Sequence, residues 1–374
     1  MELSIDKRDL LRGLSRTHGV AERKGSMPIL SNVLLATQGD EALRLSATDL
    51  YQGVTSTVPA KVVREGQIAV SAKMLHDIVR ALPQGEVSIT VGENRGLTIR
   101  CGKVQYKVPG FPGHDFPPLP MPVDATFAEV PADRLVELIT LTHYSMSSDD
   151  TRPHLSGTLF EGKGEIVRMV TTDGHRLSKA ERKVPGASFD FSMLIPHKGV
   201  TELRKLLDDV RALDKGGAPV IGIAKAAGSA FFRHDGQFLS VKLAEEQFPP
   251  YEKVIPKQHA RKIVASRANL VEALRRISLV AHDKSGGVQL CIEPGLIRVQ
   301  SQNPEVGEGF EEVDVDYSGD SISIGFNARY LLDALQALSH DEVSLELSGE
   351  LDPGVIRPVG DDVDFVGVVM PMRI

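Results

Sequence analysis

Cysteine is scarce in this chain of 374 residues. Only Cys101 and Cys291 occur, far apart and outside any CxxC or Cys/His cluster. That spacing excludes a disulfide scaffold, offers no zinc site, and fits a reducing compartment. No run approaches the ~20 apolar residues that a membrane span needs. The opening MELSIDKRDLL has no basic stretch followed by an apolar one, so no signal peptide is read. The expectation is a soluble, cytoplasmic protein without membrane contact. Excess positive charge is also lacking, because the formal net charge is -7. A polyanionic ligand would therefore need cations segregated onto one surface.

The familiar catalytic signatures are missing too. The chain has no phosphate-cradling GxxxxGKS or GxxxxGKT loop, no GxSxG elbow, no HExxH, and no tight acid cluster for two metals. No metal, cofactor or catalytic residue is assigned on that basis. RNP-type aromatics, zinc fingers and helix-turn-helix spacing are absent as well, which argues against base-specific readout.

What is present is ordinary globular composition, 41% hydrophobic and 25% charged, organised as a repeat. The first third begins with strand-like LSI, Asp6 as a helix N-cap, and KRDLLRGLSRT with Leu10, Leu11 and Leu14 on one face. ILSNVLLAT and ALRLSATD follow as a hairpin. A second helix then carries Met74, Leu75, Ile78, Val79 and Leu82 as its apolar face. The middle third replays the order, with Leu135, Leu138 and Ile139 inward on one helix and Val200, Leu203, Leu206, Leu207 and Val210 on the next. The last third repeats it again. Asp49, Asp173 and Asn303 end corresponding hairpins, 124 and 130 residues apart.

Proline-rich joints at 110–122 and 247–256 punctuate the copies and read as extended connectors, with strand-like alternation continuing on either side. The expected architecture is α+β: three repeated domains, 1–124, 125–253 and 254–374. Each has two helices packed on one face of an antiparallel sheet, and sheets continue across the domain boundaries.

The inferred helices carry fifteen basic residues, from Lys7, Arg8, Arg12 and Arg16 through to Arg329. Ten acids accompany them, Asp6, Asp9, Asp77, Glu137, Glu202, Asp208, Asp209, Glu272, Asp333 and Asp341. In a net-acidic chain this bias suits a polyanion held through its phosphates without sequence reading.

One stretch stands apart: VTTDGHRL at 170–177, an apolar run, a Thr-Asp-Gly turn, then an imidazole and a guanidinium. A turn at a strand end presents side chains on a stiff base. Asp173 and His175 could be drawn as the acid–base pair of a DNA-processing hydrolase. Side chains two apart on a turn rarely point at one substrate, however, and a scaffold is the better reading. A monomeric peptide-binding module is the other alternative.

These residues together resemble a known family. PILSNVLL (28–35), LSATDL (45–50), VTTDGHRL, IPHKGVTEL (195–203), FPPYEKVIP (248–256), NPE (303–305), IGFN (324–327) and the terminal VVMPMR are similar to the bacterial DNA polymerase III beta subunits, the replicative sliding clamps. The resemblance spans essentially the whole chain. It implies a non-catalytic processivity factor: a homodimeric head-to-tail ring around double-stranded DNA, lined by helices and walled by continuous sheets. Its partners would be the replicative polymerase's catalytic subunit, the clamp loader, and other proteins carrying a short hydrophobic clamp-binding motif.

Carried over by position, the resemblance places Leu155, Thr172, Gly174, Leu177, Pro249, Val254, Val368 and Met370 in the deep part of a peptide groove. His175, Arg176, Asn327, Tyr330, Pro371, Met372 and Arg373 would form its polar rim. Lys253 stands where some relatives carry arginine, and lacks that residue's planar fork. DNA contact is implied for Arg23 and Lys24 on a loop, and for Lys73, Arg80, Lys198, Arg204 and Lys205 on helices. Pro153 and His154 stand where some relatives carry aromatic side chains. At the ring joint the strand 104–109 would bring Tyr106 and Val108 against Leu279 and Val280 of the second copy.

Overall fold

The computed structural model describes every residue except 22–26, 93–95, 123–124, 150, 215, 282–285 and 361–363. Six α-helices lie among the described residues: α1 (Lys7–Thr17), α2 (Ala72–Ala81), α3 (Ala132–Thr142), α4 (His197–Leu213), α5 (Arg267–Ser278) and α6 (Ala328–Ala337). Each third of the chain contributes two, as the repeat predicts.

The helices begin where polar caps meet apolar periodicity. The Asp6 carboxylate accepts from the Arg8 amide at 2.8 Å, and Ser71, Ser266 and Asn327 cap α2, α5 and α6. Leu82, directly before Pro83, leaves α2 with extended ψ 152, as a residue preceding proline must. Leu10, Leu14, Leu75, Val79, Leu135, Leu138, Ile139 and the five apolar positions of α4 are all buried. Met74 departs from expectation: it is 48% exposed, because the buried stripe of α2 runs through Ala72, Leu75 and Val79 and leaves position 74 on the flank.

The backbone forms two compact units. One holds Met1–Asp133 and Thr201–Leu243; the other holds Arg134–Val200 and Ala244–Ile374. The first contains a five-stranded and a nine-stranded sheet, and the second a twelve-stranded one. Sheets do run across the repeat joints. In the first unit Gln52–Pro59, from the first repeat, pairs antiparallel with Gln237–Lys242 from the middle one, with Val241 opposite Gln52. In the second unit Arg176–Lys183 pairs with Asp364–Val369, placing Leu177 opposite Val368. Each proline-rich joint carries one 3-10 turn, at Gly113–Asp115 and Tyr251–Lys253.

The helix charge count shifts slightly at the ends. Asp6 is a cap and Asp341 lies beyond α6, while α3 begins early enough to include Asp133, so fifteen basic residues face nine acidic ones within helices. Two of the basic ones are not surface charges. Lys7 is 7% exposed and donates to the carbonyls of Arg80 and Leu82, closing the C-terminal end of α2. The Arg16 side chain is 9% exposed, pairs with Asp209 at 3.1 Å, and is held below the usual guanidinium range by burial.

Candidate functional site

The turn at Asp173 is built from backbone hydrogen bonds first. Its Oδ1 accepts from the amides of His175 (2.9 Å) and Arg176 (3.0 Å), and the Thr172 hydroxyl donates to the Arg176 carbonyl at 2.7 Å. The first repeat has the same device. Asp49 accepts from the Tyr51 and Gln52 amides at 2.9 and 2.7 Å, and Thr48 donates to the Gln52 carbonyl at 2.6 Å. In the last repeat Asn303 accepts from the Glu305 amide at 3.0 Å.

The residue after the aspartate takes positive φ in both full copies: +73 at Leu50 and +91 at Gly174. A side chain there is strained, and glycine relieves it. Replacing Gly174 by Ala should lower stability by about 1 kcal/mol. A thermal melt unchanged from the parent chain would contradict this account.

What distinguishes the middle copy is Arg176. Its side chain is 9% exposed and holds four groups together. Nε bonds Asp173 Oδ2 at 3.0 Å, Nη1 bonds Asp333 Oδ2 at 2.6 Å, and Nη2 donates to the Tyr144 carbonyl at 2.6 Å. The guanidinium also lies 4.4 Å from the Tyr330 ring centroid and 5.5 Å from that of Tyr144. Burial raises the phenols of both tyrosines above their ordinary value, and the Tyr144 hydroxyl is satisfied by Ser178 Oγ at 2.7 Å.

His175 is exposed and stacks on Tyr330, with ring centroids 6.5 Å apart. The Asp173 carboxylate is thus fully engaged by amides and a guanidinium, and the imidazole faces an aromatic ring. No acid–base pair is assembled, and the hydrolase reading falls.

The chain terminus joins this turn from the other side. The Met370 amide donates to the His175 carbonyl at 2.9 Å, and the Met372 amide to the Gly325 carbonyl at 2.8 Å. A side chain at Gly325 would collide with the Met372 carbonyl and with Ile374, so the close approach needs a glycine there. Asn327 caps α6, accepting from the Arg329 and Tyr330 amides at 2.9 and 3.3 Å, which fixes the position of Tyr330.

The residues expected to lie deep are largely buried. Leu155, Thr172, Leu177 and Val368 are each under a tenth exposed, and Leu177 and Val368 belong to a cluster with Val170, Tyr251, Val355 and Val366. Pro249 is half-buried and Val254, just past the Tyr251–Lys253 turn, is 37% exposed. Gly174 and Arg373 are exposed, while Met370, Pro371 and Met372 are half-buried. Tyr251 ties this flank to the sheet, its hydroxyl between Arg168 and Glu161 and pushed up to about 12 by burial.

Asp333, Tyr144 and Arg152 belong to the same arrangement and were not anticipated. Arg152 Nη1 donates to the Asp173 carbonyl at 3.3 Å. Asp333 had a local signal, three residues after Tyr330 on one helix face; Tyr144 and Arg152 had none.

The helix cations present themselves differently. Lys73 and Lys198 are exposed and make no ion pair among the described residues. Arg80 pairs with Asp77 at 3.2 Å, Arg204 with Asp208 at 3.2 Å, and Lys205 with Glu202 at 2.6 Å. Such surface pairs contribute little to stability. Arg23 and Lys24 lie outside the described residues.

Among the open edges of the described strands, two lie beside the residues expected at a ring joint. Val104–Pro109 ends the five-stranded sheet. Gly307–Asp316 is paired along one side, but on the other only Val315 and Asp316 meet a neighbour. Tyr106 is 39% exposed on the first edge, and Leu279 is 78% exposed beyond α5, with Val280 half-buried beside Gly309. Val108, on the same face of that strand, is 8% exposed and packs in the first unit's core.

Three α+β repeats with net-basic helices and sheets running through the joints define a DNA-clamp fold. The DNA polymerase III beta subunit N-terminal domain matches residues 1–120, its central domain residues 129–250, and its C-terminal domain residues 252–373. The chain is 33% identical to the beta sliding clamp of Caulobacter vibrioides and 32% identical to that of Escherichia coli K12, covering 100% of both chains in each case. The crystal structure of the Pseudomonas aeruginosa DNA polymerase III subunit beta superimposes with a TM-score of 0.93 at 32% identity, again over both full chains. A second structure, the P. aeruginosa sliding clamp bound to griselimycin, matches equally well with a TM-score of 0.93. The chain belongs to the DNA polymerase III beta-subunit family, the beta sliding clamps.

Proposed function

We propose that two copies of this chain close head-to-tail into a ring around duplex DNA and slide along it, tethering the replicative polymerase. The carrying observation is the excess of basic over acidic residues within the helices of a chain whose net charge is -7. Cations confined to helices hold phosphates weakly and without reading bases, which permits sliding. The open stretches of Val104–Pro109 and Gly307–Asp316 support ring closure, since exposed backbone donors and acceptors invite pairing by another strand. Pairing Val104–Pro109 of one copy with Gly307–Asp314 of the next would satisfy both, with Tyr106, Leu279 and Val280 covered beside them. Each copy supplies one surface of each kind, so two copies close the circle. The domains divide at 124/125 and 253/254 on this reading.

The His175–Tyr330–Met370 rim above the buried Leu177–Val368 floor suits a short extended peptide with hydrophobic anchors, brought by the polymerase, the clamp loader or other partners. The half-buried methionines adapt to several sequences. The protein acts without chemistry of its own, in the cytoplasm.

The test is topological. Protein loaded onto nicked circular DNA should remain bound through gel filtration and leave when a restriction enzyme linearises the circle. Its mass in solution should be twice 40.6 kDa. Equal retention on circular and linear DNA would sink the proposal.

A further inference from the structure

A cavity of about 460 Å³ lies on one face of the nine-stranded sheet, within the first compact unit. Arg44 lines it, while its neighbours Leu43 and Leu45 turn the other way into the core under α1. Register carries the cavity's face across the sheet. Arg44 stands opposite Thr57, Thr55 opposite Phe238, Phe238 opposite Arg233, and Arg233 opposite Gly222. Opposed residues of antiparallel strands share a face, so Arg44, Phe238 and Arg233 meet at the one cavity.

Arg233 is held in place from two sides. Its guanidinium carbon lies 3.8 Å from the Phe127 ring centroid. Its stem crosses Gly222, where an added Cβ would sit 3.0 Å from Arg233 Cγ, 3.1 Å from Nε and 3.2 Å from Phe127 Cδ1. The missing side chain lets the arginine and the ring meet over the strand. A ring engages only the guanidinium's face and leaves the N–H groups in its plane uncommitted. Arg233 and Arg44 are both exposed, and neither makes an ion pair or a side-chain hydrogen bond among the described residues.

Two acids, Glu129 and Asp235, also line the cavity, and the charge of Asp235 acts on Arg16 as well. They limit the ligand: a phosphate or a polyanion brings more charge against them than a single carboxylate does. The rest of the wall includes Met121, Val220 and Phe238, which favour an apolar neighbour. We propose that this cavity binds a carboxylate carried on an apolar body. The Arg233 fork donates to the carboxylate, Arg44 adds its charge, and the body packs on Met121, Val220 and Phe238. A free hydrophobic acid and the C-terminal residue of an apolar peptide both present that group. The Arg176 cluster belongs to the other compact unit, and this site does not rest on the ring.

Calorimetric titration of the full chain tests it with phenylbutyrate, phenylbutanol, inorganic phosphate, and N-acetyl-leucyl-phenylalanine with a free carboxyl end. Phenylbutyrate should bind saturably, and phenylbutanol, the same body without the charge, about tenfold more weakly. Arg233→Gln should weaken phenylbutyrate by about tenfold, and Arg233→Lys should recover little of it, since a point charge lacks the fork. Gly222→Ala keeps both arginines but crowds the Arg233 stem, and should lose several-fold in affinity. Tighter binding of the dipeptide than of phenylbutyrate assigns the site to a protein terminus, and the reverse order to a free acid. Phosphate binding as tight as that of phenylbutyrate would overturn the site. So would equal binding of the acid and the alcohol, no saturable binding, or parental affinity in Arg233→Gln.

Discussion

Removal of Met370 to Ile374 should weaken binding of a polymerase clamp-binding peptide by at least roughly 100-fold, a loss of about 2.7 kcal/mol. The dimer's mass should not change. The tail supplies more than side chains. Its Met370 amide donates to the His175 carbonyl at 2.9 Å and its Met372 amide to Gly325 at 2.8 Å, so the terminus is seated against both halves of the rim. Without it the His175 carbonyl is open and the half-buried Met370 and Met372 are gone.

Gly325→Ala separates the backbone effect from the loss of residues. An added methyl group collides with the Met372 carbonyl and Ile374, so the full-length chain should lose much of the same affinity with every tail residue still present. Fluorescence anisotropy of a labelled peptide reads both variants. Comparable binding by the truncated chain would mean the groove has been misplaced.

Replacing Arg176 by Ala is expected to cost about 3 kcal/mol, because it strips a buried guanidinium from two carboxylates and a carbonyl at once. The side chains of Asp173 and Asp333 are 14% and 27% exposed, so neither is rehydrated fully. Asp173 keeps its two amide donors, whereas among the described residues Asp333 keeps only Arg329 at 3.9 Å. Arg176→Lys should recover little, since a point charge cannot reach three acceptors in one plane. Hydrogen exchange is the direct measurement, and protection of residues 172–177 and 330–334 should fall together in both variants. Protection unchanged in Arg176→Ala would show that the cluster does not hold the rim to α6.

The repeat was legible because each copy needs the same periods and the same stops. Asp6 as a cap, the Leu10–Leu14 stripe, Pro83 after α2 and the Asp49–Asp173–Asn303 series each encode local backbone chemistry, which neighbours in sequence are enough to specify. Met74 was misread for the opposite reason. The buried stripe of α2 runs through Ala72, Leu75 and Val79, and the packing beneath the helix decides that Met74 lies on its flank. Lys7 likewise reads as one more helix cation until the carbonyl end of α2, over seventy residues away, is found under its ammonium. Alternation places Val108 on the face of Tyr106, and only the structure shows that the core extends beneath Val108.

By itself, then, the sequence determined three copies of an α+β unit, their joints, the excess of basic residues within helices, and the turn at 170–177 as the one that differs between copies. Periodicity, capping and proline restriction act within a few residues, so one chain suffices to read them. Only the tertiary structure decided what that turn holds together. Arg176 meets Asp333 and Tyr144 across 157 and 32 positions, and His175 meets the chain's last residues through a strand pairing between repeats. Those contacts are set by packing between distant segments, and no local spacing encodes them.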